Sequence, residues 1–70
     1  MLISLLMLPG NGQNDVEIAA GSTVADLIEL KGLSGRNIMV DGRAIPASQY
    51  SSTVLVSGQE VAAVGVSKGN

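Results

Sequence analysis

The chain has 70 residues, a net charge of −2 with four basic side chains, and neither cysteine nor histidine. A disulfide framework, a zinc-thiolate site and a thiol nucleophile are therefore excluded, and the commonest metal ligand and general base are missing as well. The four basic residues and the single aromatic, Tyr50, also argue against a nucleic-acid partner, which calls for a basic surface and stacking rings.

An apolar share of 46% against 14% charged residues points to one folded domain over residues 1–70, near the lower size limit for a self-sufficient core. So apolar a chain either turns part of that surplus toward a partner or exposes it as any small domain exposes some apolar area. No apolar run approaches the length of a membrane span. Met1–Leu8 lacks the basic n-region and small-residue cleavage site of a signal peptide, so a cytoplasmic location is the expectation.

Leu2–Leu8 reads as a strand: its apolar run is stopped by Pro9-Gly10 before a helix could become stable. Alternation sets Ile3, Leu5 and Met7 on one face and Leu2, Leu6 and Leu8 on the other. Pro9–Asn14 (PGNGQN) is dense in turn formers and reads as a hairpin loop. Its two glycines do not make a phosphate cradle, because the GxxxxGK[ST] spacing and a following helix are both missing. Asp15–Ala20 alternates, with Val16 and Ile18 inward and Glu17 outward, as an edge strand should.

Gly21–Gly32 carries the helix, placed at about residues 23–31. Thr23 and Asp26 have capping-box spacing, Ser22 being the alternative cap, and Gly32 is the natural C-terminal stop. Asp26 and Lys31 suit the two ends of the helix dipole. Val24, Leu27 and Ile28 form the stripe that would lie on a sheet.

Asn37–Val40 and Arg43–Ile45 read as short strands around an Asp41-Gly42 turn. Ala47–Ser52 reads as an irregular turn whose Tyr50 plugs the core. Ser57-Gly58 turns the chain into a last strand, Glu60–Val66, which is apolar on both faces and therefore central. Residues 67–70 form a short, flexible tail. The element order describes an α+β fold, a mixed sheet of four to five strands gripping one helix. Its second face would then carry Leu2, Leu6, Leu8, Ala62, Val64 and Val66 as an apolar partner-binding patch.

From Ala19 onward, about three quarters of the chain resembles the ThiS/MoaD sulfur-carrier branch of the ubiquitin-like β-grasp proteins. The segments that carry the resemblance are AAGSTVADLIEL (Ala19–Leu30), NIMVDGRAIPASQY (Asn37–Tyr50) and TVLVSGQEV (Thr53–Val61). Gly69-Asn70 falls where that family has Gly-Gly. Residues 1–15 depart from the pattern, with a longer and more glycine-rich first hairpin. The resemblance implies a tail carboxylate that an adenylating enzyme activates and that is then converted to a thiocarboxylate. It carries over Gly69 as the penultimate glycine. Lys68 and Asn70 depart from the pattern, and the Asn70 side chain would crowd a narrow nucleotide channel.

Two functions follow. The first is a non-catalytic module that docks its apolar sheet face or an edge strand on a larger assembly; by fold analogy that assembly could be a phage virion or tail. The alternative is a sulfur carrier ending in Lys68, Gly69 and Asn70, whose partner is the adenylating enzyme. Both involve protein partners and neither needs a metal or cofactor. Catalysis by the chain itself is not expected, because the six acids read as edge, cap, helix-surface or turn residues with no nucleophile or base beside them. Asp41 and Glu60 have no pocket in the sequence pattern to make them a working carboxylate pair.

Overall fold

The computed structural model describes residues 1–10 and 12–65. The last strand is its centre. β1 (Leu2–Leu8) and β2 (Gly12–Glu17) form one hairpin, and β3 (Arg36–Val40) and β4 (Arg43–Ile45) form a second. β5 (Glu60–Gly65) lies between them, giving a five-stranded sheet in the order β2-β1-β5-β3-β4. It runs parallel to β1 and antiparallel to β3. A strand with neighbours on both sides has its backbone groups paired along both edges. That suits a segment with almost no polar side chain to spend on water.

The helix α1 (Val24–Lys31) covers one face of the sheet. Thr23 closes the predicted capping box: its hydroxyl accepts from Asp26 N at 3.2 Å, and Asp26 Oδ2 accepts from Thr23 N at 2.9 Å. At the other end Gly32 takes the left-handed conformation (φ 65°), which favours a residue without Cβ. This turn directs Leu33 back beneath the helix, where it is fully buried. Ile3 and Leu5 of β1, Val24 and Leu27 of α1, Ile38 of β3 and Val61 and Ala63 of β5 are the centre of the core. Ile28 and Tyr50 pack against it while half-buried.

Several boundaries differ from the sequence reading. Residues 12–14 pair with β1 (Met7↔Gly12, Leu6↔Gln13, Leu5↔Asn14) and are strand, where turn chemistry predicts loop. β1 is long enough to template the extra pairs, and at a sheet edge polar side chains stay solvated. β2 also ends at Glu17, short of Ala20. The helix starts at Val24, because Gly21, Ser22 and Thr23 serve the approach and the cap. The segment after Pro46 contains a single 3-10 turn, Ala47–Gln49. Val66 and the predicted tail 67–70 lie outside the described residues, as does Asn11.

Candidate docking face and tail exit

Among the described residues no helix covers the face of the sheet turned away from α1, and the strand registers determine its composition. One cross-strand row runs Gln13, Leu6, Ala62, Met39, Ala44 over all five strands. The row beside it, toward the end of β5, brings together Leu8, Val64 and Asn37. On the other side lies the row Asp15, Ser4, Glu60, and beyond it Glu17 stands opposite Leu2. Neighbouring positions within a row are about 4.8 Å apart between strands, close enough for a partner to meet them as one surface.

This places most of the predicted patch on one face. Leu2 and Leu8 are exposed, while Leu6, Ala62 and Val64 are half-buried by their neighbours. Val66 lies outside the described residues. A shallow concavity of about 240 Å³ opens on the same face, lined by Ser4, Leu6, Gln13, Met39, Glu60 and Ala62 among others. The Gln13 side-chain amide donates to Ser4 Oγ along one border of it. Met39 belongs to the patch but has no sequence signal of its own, since its place depends on the pairing Met39↔Ala62 between segments far apart in the chain.

The face is electrically one-sided. Asp15, Glu17 and Glu60 all project on its side of the sheet, on strands whose alternate residues, Val16 and Val61, are buried toward the helix. Arg36 and Arg43 share the helix side with Ile38 and Val40, and Lys31 is on the helix itself. Among the described side chains, the open face therefore carries acids and no bases. Glu17 is partly satisfied within the chain, accepting from the Met1 amine, which also donates to Ile18 O at 2.7 Å. Asp15 and Glu60 make no such pairs among the described residues.

Two further polar residues hold this region together. Asp41, at φ 50°, accepts from Glu60 N at 2.9 Å and from Gln59 Nε2 at 3.3 Å. Asp41 and Glu60 do meet, then, but through a backbone amide, and the contact ties the β3–β4 turn to the start of β5. At the opposite end, Arg36 Nη1 donates to Pro9 O at 3.1 Å, Leu8 O at 3.2 Å and Ala63 O at 3.3 Å. Arg36 stands across from Gly65, the last described residue of β5. A Cβ on Gly65 would lie 3.0 Å from Pro9 Cδ and 3.4 Å from Leu8 O. The end of β5 at Gly65 is thus gripped by the end of β1 and by Arg36. Sequence reasoning treats Arg36 only as one of a few bases, because its three acceptors lie on distant segments. Lys68, Gly69 and Asn70 lie outside the described residues. Among the described residues, no group of three potential metal ligands occurs and no helix is long and apolar enough to cross a membrane.

In sequence, the chain matches neither the profiles of known protein families nor the characterised proteins. In structure it is similar to SAMP1 from Haloferax volcanii, with a TM-score of 0.73 at 15% identity over 100% of both chains. It is also similar to the thiamine biosynthesis protein ThiS from Geobacter metallireducens, with a TM-score of 0.71 at 14% identity over 96% of this chain and 99% of the other. The fold is accordingly the ubiquitin-like β-grasp of the ThiS/MoaD-like proteins, as the sequence resemblance implies.

Proposed function

We propose that the chain is a carrier of the ThiS/MoaD kind. It docks its open sheet face on an adenylating enzyme and delivers the segment beyond Gly65 to that enzyme's nucleotide site. The observation that carries this reading is the end-to-end structural likeness to ThiS, joined to a glycine, Gly69, where the resemblance has the penultimate glycine. In the reaction a glycine carboxylate attacks the α-phosphate of ATP, pyrophosphate leaves, and an acyl adenylate forms. Sulfide-level sulfur supplied by a partner protein then attacks the acyl carbon, the acyl–phosphate bond breaks, and AMP leaves to give the thiocarboxylate. The domain's own part is binding and presentation, which requires neither a nucleophile nor a base among its side chains.

Asn70 stands where a terminal glycine would be, so on this reading the active form ends at Gly69. The test is ATP-dependent pyrophosphate release with the adenylating enzyme encoded in the same genome, using one chain that ends at Gly69 and one that ends at Asn70. The expected result is adenylate with the Gly69 form and little or none with the Asn70 form. Intact-mass measurement should then find a sulfur-for-oxygen change on the Gly69 form once a sulfur donor is added. No adenylate from either form would overturn the carrier reading.

The open apolar face with Leu6, Leu8, Met39, Ala62 and Val64 also favours a second reading, a docking module without carrier chemistry. Its support would be a stoichiometric complex with an assembly partner that survives deletion of Gly69-Asn70. A chain that stays monomeric, with no partner in native pulldown, would count against it.

A further inference from the structure

We infer that the partner surface received by the open sheet face is an apolar patch with a Lys/Arg cluster on one side only, set away from the site that takes the tail. The inference rests on the carrier reading above, which names that partner as the adenylating enzyme. Its own support is the order of the rows. Moving along β5 toward Gly65, the face passes from Asp15–Ser4–Glu60 to Leu6–Ala62–Met39 and then to Leu8–Val64. The acids are thus grouped at the start of β5, with Leu2 beside them opposite Glu17, and the other apolar side chains of the face lie toward Gly65.

A symmetric apolar face could dock in several rotations about its normal. An acidic row at one end removes that freedom. It draws a basic cluster to itself during encounter, and it opposes the reversed pose by setting carboxylates against the partner's apolar patch, where they would be desolvated unpaired. The pose that satisfies the acids is also the one that points the end of β5 away from the basic cluster. Asp15 and Glu60 are exposed and make no side-chain pairs among the described residues, so they are available for this role. Glu17 contributes less because it is paired with the Met1 amine.

Solvent-exposed charges that steer encounter act mainly on the association rate and are screened by salt. The experiment is stopped-flow association of the chain with the adenylating enzyme of the same genome, from low to roughly 0.5 M salt, a range over which the Debye length shrinks several-fold. The variants are Asp15→Asn/Glu60→Gln together and Glu29→Gln on the helix surface as control, each checked for an unchanged urea midpoint. The expected result is an association rate about tenfold lower for the double variant at low salt, a figure at the low end of steering effects. The double variant should converge with the wild type at high salt, with dissociation little changed and Glu29→Gln indistinguishable from the wild type. Two outcomes overturn the inference alone while the wild type still binds and is adenylated: a double variant as fast as the wild type, or an equal loss from Glu29→Gln. A wild-type chain that neither binds nor is adenylated overturns the carrier reading, and the partner inferred from it falls too.

Discussion

At the scale of single residues, the polar groups that matter most here spend themselves on the backbone of distant segments. Arg36 is the clearest case, with one guanidinium nitrogen shared among the carbonyls of Leu8, Pro9 and Ala63. Two of those contacts are exposed and the one to Ala63 is partly buried, so water can replace much of what Arg36 provides. Replacing it with methionine, which keeps the stem and removes the donors, is therefore expected to cost about 1 kcal/mol, below the roughly 1.5–3 kcal/mol usual for a hydrogen bond to a charged group because water takes over the exposed contacts. Arg36→Lys should recover part of that loss. Urea denaturation of the two variants checks the order, and a methionine variant as stable as the wild type would show that the clamp contributes nothing. Asp41 acts similarly at the opposite end of β5, holding the Glu60 amide. Neither role is legible in the sequence. Asp41-Gly42 announces a turn and Arg36 announces a charge, but the acceptor and donor they reach are brought near only by the assembled sheet.

At the scale of elements, legibility follows how local the determining interactions are. The helix is readable because its start and stop are set within a few residues, by the reciprocal Thr23–Asp26 bonds and the left-handed Gly32. Removing the cap with Thr23→Ala should cost about 1 kcal/mol. Gly32→Ala should cost a similar amount, because a Cβ is strained at positive φ even though open space surrounds it. Thermal unfolding of the single and double variants measures both. Near-additive losses are expected, since the two sites sit at opposite ends of the helix. The first hairpin shows the opposite case. Gly12, Gln13 and Asn14 have turn propensity and no strand propensity, yet they pair with Met7, Leu6 and Leu5. Their conformation is decided by the strand beside them, so reading the segment alone misplaces the start of β2. The predicted face suffers the same limit. Alternation separates Leu6 from Leu5, but only the β3–β5 register adds Met39 to the patch.

At the scale of the whole molecule, the division of labour between the two sheet faces is testable within one strand. Ala62 and Ala63 are adjacent on β5, identical in size and equally part of an apolar run. Ala63 is fully buried beneath the helix, whereas Ala62 is half-buried on the open face beside Leu6 and Met39. A carboxylate at position 63 would have to be desolvated in a core that, among the described residues, contains no buried polar side chain to receive it. Such a penalty is of the order of several kcal/mol, comparable to the entire stability of a domain this small. Ala63→Asp is therefore expected to abolish the cooperative urea transition. Ala62→Asp leaves its charge in water and should shift the midpoint little, by about 1 kcal/mol or less for a surface substitution in a strand. On the docking reading, however, it puts a charge at the middle of the apolar row, where the partner's apolar surface would have to desolvate it. The folded Ala62→Asp chain should then lose stable binding to the adenylating enzyme through a faster dissociation rate, unlike the acidic-row variants, which act on association. If Ala62→Asp binds as the wild type does, the open face is not the docking surface, whatever the tail does. If Ala62→Asp and Ala63→Asp unfold alike, the two faces of β5 are not divided between a partner and a core.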